Sequence, residues 1–599
     1  MNTIALPFTR PALAASILAA LATLAACGGG GGSAGSAPAD ATPGLLPSVS
    51  TPTAPVQPDT TQPNTTQPTI PQPNTTQPAL PVPGAIANGS TVLLECGRSY
   101  VGTLDLKGKS DVTVKTAGSC GNAVLSPGQA LSGWSRHEGN VYSAPVAFDV
   151  GQLVLDGQPL ERAHWPNRPQ TWAKASGSSA TTLSHAMPNG DLVGATLVFR
   201  PYDWAVEARR ITGYSAGTMT LASFDKINFD GYALSGAVDF YVEGKLWMLD
   251  APGEWAVSEG RVYVWTPDGQ SPQGRVWVAP ERDAIDARDS RRVTLEGVNV
   301  YGAANGINAL GATDLRVQNV NIANMSANGI LNSGGARLQV DGAIIRNVRH
   351  PAISVHWGGG GEVIRNVQVD GAGNIGMPTH ARAAIHMVAS EGSQVLNNSV
   401  RNAGYIGIRA FRNSLIANNT VDGACLALTD CGGIYIDAPD QQPLNARIEN
   451  NTVKNVGPDQ RLAWGIYLGD RANGVTVAGN TISASGNGLE ILNGHDNRIT
   501  GNHFSGNTQA HIQFVEFGSQ TVVRNNQVSG NTFTSTGKQE MYRLSSELGS
   551  SAVKRFASYA DNRYISSSSA FANYQGEMLS FAQWQARTGQ DGNSTLGVP

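Results

Sequence analysis

From Gly297 to Val528 one short phrase keeps returning: an Asn or Gly pair, then a β-branched or apolar residue set in polar company. Examples are Asn299-Val300, Asn321-Ile322, Asn397-Asn398-Ser399-Val400, Asn418-Asn419-Thr420-Val421, Asn450-Asn451-Thr452-Val453, Gly479-Asn480-Thr481-Ile482, Gly501-Asn502-His503-Phe504 and Asn525-Asn526-Gln527-Val528. The spacing is 21–24 residues, stretching to about 30 in three places. A period in that range marks a solenoid, because one unit cannot bury its own apolar face and must stack on the next. Each unit holds short runs of alternating polarity split by Gly and Asn, with no helical period. Asn and Gly accept the left-handed backbone of a bend, and stacked Asn amides can bond along the axis.

The repeat resembles the right-handed parallel β-helix of the pectate-lyase-like superfamily, so an all-β fold is expected. Residues 284–533 are assigned to the main coil, and 86–147, with Thr91-Val92-Leu93-Leu94 and Ala123-Val124-Leu125, to its first turns. Residues 148–283 break the pattern and carry seven of the 11 Trp, which reads as an inserted β-rich module. Aromatic rings fill small cores, and core packing is the first reading for most of these indoles; stacking on sugar faces is the other. Residues 534–599 are read as a cap, which a coil end needs because it exposes unpaired strand edges. Within that cap, Ser580–Asp591 has the pattern of a short helix stopped by Gly589.

The N-terminus reads as an export signal: Arg10, an apolar stretch Ala12–Ala26, and small residues at the end. Leu24-Ala25-Ala26-Cys27 resembles the lipobox of bacterial lipoproteins, which implies lipidation of Cys27 and anchoring in the cell envelope, with Gly28 favouring the outer membrane. Residues 28–85, a Gly run followed by Thr/Pro/Gln/Asn repeats, cannot build a core and read as a tether. The other four cysteines form two local pairs, Cys96/Cys120 and Cys425/Cys431. Disulfides are favoured in an oxidising compartment, with zinc as the alternative. A net charge of -4, without a basic stripe, argues against a nucleic-acid partner. A monomer is expected, with no metal or other cofactor.

Aligning the Gly-Ile phrases gives one inward column, Ile307, Ile330, Ile353, Ile385, Ile408, Ile434, Ile466, Leu489 and Ile512. The residues one and three places later then face outward. Reading along that face gives Asn308, Leu331, Ser333, Ser354, His356, His386, Arg409, Phe411, Tyr435, Asp437, Tyr467, Glu490 and Gln513. Only 14% of the chain is charged, so two His, an Arg, two Tyr and two carboxylates on one face mark a site. Long loops at Gly371–Arg382, Ala424–Asp430 and Gly457–Trp464 supply its walls.

Asp430, Asp437, Asp470 and Glu490 are the catalytic candidates. His356, His386, Arg409, Tyr435, Tyr467 and His495 are the substrate-binding ones. Asp437 and Asp470 are expected about one coil apart, roughly 5 Å, and Asp437 and Glu490 two coils apart.

The phrases Arg162-Ala163-His164-Trp165-Pro166-Asn167 and Leu249-Asp250-Ala251-Pro252-Gly253-Glu254-Trp255 resemble the large β-helix glycoside hydrolases, of the fucosidase- and xylanase-like kind. The segments holding Asp430 and Asp470 resemble Asp-bearing motifs of the same enzymes. That resemblance implies hydrolysis of a polysaccharide or oligosaccharide, which needs an acid and a base or nucleophile. Two readings stand beside it: a polysaccharide lyase using His386, Arg409 and Tyr435 on a uronic acid, and a non-catalytic sugar-binding or adhesin solenoid.

Overall fold

The computed structural model describes residues 70–599 apart from 74–76, 168–171, 224–233, 235, 374–382, 519–521 and 538. The export segment, Cys27 and most of the tether lie outside the described residues, as does most of the Gly371–Arg382 loop.

Three long sheets wind around one core. The first has 15 strands, from Leu80–Pro81 to Thr595–Gly597, and the second has 13, from Thr91–Glu95 to Ala557–Ala560. The third has 14, from Leu104–Asp105 to Glu577–Leu579. Each coil contributes one strand to each sheet, as in Thr294–Glu296, Val298–Ala303 and Ile307–Asn308. Neighbouring strands in these sheets pair in parallel until a closing hairpin, Ala572–Tyr574 with Glu577–Leu579.

The Gly-Ile column is the inner face of the third sheet, and all nine of its apolar residues are fully buried. The Gly that precedes the apolar residue has a steric cause. A Cβ at Gly329 would stand 2.4 Å from the carbonyl oxygen of Ala352 in the next coil, and one at Gly465 would stand 2.3 Å from Ile482 Cγ2. At these coils the backbone closes too tightly for a Cβ, whereas Ala352, Ala384 and His511 fill the equivalent place elsewhere in the column.

Asn works at the opposite corner in two ways. The first residue of each Asn pair takes a left-handed backbone, as at Asn397 (φ 55°), Asn418 (φ 57°) and Asn450 (φ 55°). The second is buried and bonds along the axis. Asn398 Nδ2 donates to Asn419 Oδ1, Asn419 to Asn451 and Asn451 to Asn480, each at 2.9 Å. The stack continues through Asn502 and Asn531 to Asn562.

Asn451 Oδ1 also accepts the Asn419 backbone N–H, and Asn451 Nδ2 also donates to the Ile416 carbonyl. Asn451→Ala therefore strands several buried polar groups at about 1–3 kcal/mol each. We expect a loss of about 3 kcal/mol or more in urea unfolding, and exposed Asn418→Gly to be near neutral beside it.

Two sequence boundaries shift. The antiparallel block begins at Gln129–Ala130, which pairs with the strand Val276–Pro280, rather than at 148. The coil runs past 533 through Glu540–Ser546, Ala557–Ala560 and Arg563–Ser566. The period is blurred there because aromatic residues replace the β-branched ones: Phe533 pairs with Tyr564, and Ile512 with Tyr542. The phrase at Asn525–Val528 also changes place. It pairs with Arg498–Thr500 in the second sheet, while Phe504 has Phe533 as its first-sheet partner.

The inserted module is three mainly antiparallel sheets of four, five and eight strands. It leaves the coil at a corner, so Val298 still pairs with Ala123, and Ile285 with Leu104, as though nothing intervened. Most of its indoles pack: Trp255 and Trp277 are buried, and Trp165, Trp247 and Trp265 lie against the module core. Trp172 and Trp204 instead lie against the core of the coil.

The tail helix spans Phe581–Thr588, with a capping box between Ser580 and Gln583 and a left-handed Gly589 at its end. Trp584 is fully buried and stacks on Tyr542 in the last coils. Among the described residues no helix is long and apolar enough to cross a membrane.

Candidate functional site

Strand register builds the site. In the third sheet Ser354 pairs with His386, His386 with Arg409, Arg409 with Tyr435, Tyr435 with Tyr467, Tyr467 with Glu490 and Glu490 with Gln513. Each of these residues follows an inward Ile or Leu, so together they form one ladder on the outer face. Asn308 and Leu331 continue it below, and Arg543 above.

Neighbouring rungs touch. The His356 and His386 rings stand 4.6 Å apart, and the Arg409 guanidinium lies 5.1 Å from the centre of the Tyr435 ring. Tyr435 meets Tyr467 edge-on at 5.0 Å.

Asp437, two residues beyond Tyr435, accepts from Arg409 Nη2 at 2.9 and 3.1 Å. Burial works against the Arg409 cation, but Asp437 outweighs it and the group stays charged.

The Asp437–Asp470 relation differs from the expected one-coil pair. Ile436 pairs with Leu468, which puts Asp437 level with Gly469, and Ala438 N–H donates to the Asp470 carbonyl. One extra residue at the strand end therefore staggers the two acids. Asp470 accepts instead from Asn493 Nδ2 at 3.0 Å. Burial raises its carboxyl above the ordinary range despite that bond, and Asp437 adds to the rise. His495 is not on the ladder: it bridges to Asn473 and Arg524 at a coil corner, and its Nδ1 lies 2.6 Å from Asp496. Phe411 packs under Arg412 at 4.7 Å.

Asp430 and Glu490 stand apart from the other acids. Asp430 ends the loop closed by the Cys425–Cys431 disulfide and sits at φ 53°, a left-handed conformation that Asp tolerates better than most residues. The Tyr467 hydroxyl donates to its Oδ1 at 3.2 Å, and the Tyr405 hydroxyl donates to its carbonyl at 2.8 Å. Glu490 is only 3% exposed, and its Oε2 has no hydrogen-bond partner among the described residues. Burial drives the Glu490 carboxyl well above the ordinary carboxylate range, and the nearby Asp430 charge adds to it. Tyr467, which pairs with Glu490 in the ladder and donates to Asp430, thus connects the two carboxyls.

Sequence reasoning passed over two residues here. Trp464 packs on Tyr467 at 4.5 Å and donates to Gln513 Oε1 at 3.4 Å, and Tyr405 pins Asp430. Neither lies on the Gly-Ile column, so counting by twos misses both. The second disulfide, Cys96–Cys120, ties the first coils together far along the chain from this site. Among the described residues no group of three or more His, Cys, Asp or Glu is placed to hold a metal ion.

The family described as right handed beta helix region matches residues 283–453 and 432–551. No curated protein matches the chain. Among solved structures, one titled glycoside hydrolase is 14% identical, covers 84% of this chain and 92% of its own, and has a TM-score of 0.50. XylC in complex with xylose is 11% identical, with 86% and 78% covered and a TM-score of 0.32. The tailspike protein of E. coli bacteriophage HK620, bound to a pentasaccharide, is 14% identical, with 47% and 55% covered and a TM-score of 0.35. At 14% identity the likeness to the first of these is one of fold alone. This chain is a right-handed parallel β-helix, all-β, with an inserted β module.

Proposed function

We propose that this protein is a carbohydrate-active enzyme that hydrolyses a glycosidic bond, with Glu490 as the acid and Asp430 as the carboxylate that assists or attacks. The observation that carries the reading is the buried Glu490 carboxyl on the outer-face ladder, raised well above the ordinary carboxylate range by burial and by the nearby Asp430 charge. A neutral acid at physiological pH can protonate a leaving glycosidic oxygen, and the second carboxylate serves as base or nucleophile on the sugar.

His386, Arg409, Tyr435 and Tyr467 then form the floor on which the sugar lies, and the disulfide holds Asp430 in place. Elimination is the weaker reading, because the cation it would need for a uronate carboxylate, Arg409, is already neutralised by Asp437. Asp437 and Asp470 accordingly serve as supports of that floor.

Envelope attachment through Cys27 belongs to the same proposal. Its support is the sequence of the first 27 residues, together with two disulfides that suit an oxidising compartment.

The test is a panel of neutral and acidic polysaccharides with products read by mass. Hydrolysis adds one water per bond cut; elimination leaves an unsaturated, ultraviolet-absorbing end. Retention of oligosaccharides at unaltered size would support a binding solenoid and defeat the enzymatic reading.

A further inference from the structure

A cavity of about 530 Å³ opens between the inserted module and the corner of the coil that joins the first and third sheets. The module contributes Arg162, His164, Trp172 and Tyr241 to it, and the coil contributes Met325 and Arg349. Its size falls within the range of small-ligand sites, and its lining is of the matching kind: apolar and aromatic walls with a few fixed polar groups.

Those polar groups are held rigidly. Arg349 Nη2 donates to Glu243 Oε1 at 3.2 Å, across the seam between coil and module. His164 Nδ1 lies 3.0 Å from Glu254 Oε1. Trp172 meets the Tyr241 ring edge-on at 5.1 Å. The buried Gln152 Oε1 and Arg162 Nε, both of lining residues, have no hydrogen-bond partner among the described residues. Buried groups of that kind are rare unless something pairs with them.

Charge narrows the ligand. The lining carries Glu161 and Glu243 against Arg162 and Arg349, with His164 tied to a carboxylate. A wall so balanced offers no excess cation for a uronate or a phosphate. It suits a hydroxyl-rich neutral ring, whose apolar face packs on aromatics while its hydroxyls reach the fixed polar groups.

Place completes the argument. One wall of the cavity is Leu426–Leu428, which lies within the Cys425–Cys431 loop that ends in Asp430. The next residue, Thr429, donates its N–H to the Asp203 carbonyl of the module at 3.4 Å. A single short loop thus separates the cavity from the ladder and holds on to both.

We propose that this cavity is a subsite for neutral sugar units of the substrate, so that the inserted module is the second wall of the substrate site. This rests on the hydrolase reading for the ladder, but the two fail separately.

The experiment uses the full chain carrying Glu490→Gln, so that binding is measured without turnover. Cellotriose, xylotriose, mannotriose and a galactotriose are titrated calorimetrically, with trigalacturonate as the charged control. At least one neutral trisaccharide should bind. Adding Leu426→Trp, at a side chain 52% exposed and so free to enlarge, should weaken that binding tenfold or more by filling the cavity. Trp172→Ala should do the same by removing a wall, at some cost in stability since its ring packs on the coil core, so the unchanged thermal melt is required of Leu426→Trp as the control.

Equal affinity with and without the cavity substitutions overturns the inference. So does binding confined to trigalacturonate, or none by any neutral trisaccharide. If instead Glu490→Gln leaves cleavage intact, the ladder assignment falls while the cavity result stands on its own.

Discussion

Glu490→Gln is expected to lower kcat on a cleavable polysaccharide by about 10³-fold, within the range for losing a general acid. The amide matches the carboxyl in shape but has no proton to give to a leaving oxygen.

The accompanying stability change has a definite sign. The folded state holds the Glu490 proton well above the pH at which an unfolded chain releases it. Stability therefore falls as pH rises from the ordinary glutamate range towards the raised value. Gln carries no such burden. The variant should melt at or above the wild-type temperature at pH 8 and show little advantage at pH 4, where Glu490 is mostly protonated in both states. An inactive variant that melts lower at both pH values would mean the residue is structural.

Asp430→Asn is the second large effect, with a loss of about 10²–10³-fold in kcat. It also removes the negative charge that helps raise the Glu490 carboxyl. Whatever activity remains should lose its alkaline limb at a lower pH than in the wild type, because Glu490 then gives up its proton more readily. Burial, the larger cause, is untouched, so the limb moves part of the way only. A pH profile of residual kcat/KM checks this. A limb that stays in place would separate the two groups electrostatically and remove the basis for pairing them. The melt should be nearly unchanged, since the disulfide and the Tyr405 bond to the Asp430 carbonyl do not involve the side-chain carboxylate.

Much of the ladder was legible before any coordinates. Period-two counting from the Gly-Ile phrase placed Ser354, His386, Arg409, Tyr435, Tyr467, Glu490 and Gln513 on one face, and strand register puts those residues in one row. The method works because each rung is set by its own neighbours. A buried Ile fixes which way the next side chain points, and a Gly fixes where the coil closes.

It fails where spacing is not set locally. Asp437 and Asp470 were expected about one coil apart, but Asp437 lies one residue and Asp470 two residues past the ends of their strands, and there alternation carries no information. His495 stands in a corner whose geometry the column does not reach. The module start was misplaced because the strands from Gln129 to Pro145 look like coil strands one by one, and only their partners mark them as part of the insertion.

By itself, the sequence determined the coil, its inward column, its Asn stack and the face on which chemistry gathers, since these follow from side-chain size and alternation within one unit. Only the tertiary structure decided which carboxyl is raised furthest by burial and which loop holds its partner. It also decided that the module and the coil enclose a common hollow. Proton affinity depends on everything packed around a group, and what surrounds Glu490 comes from loops and coils distant along the chain.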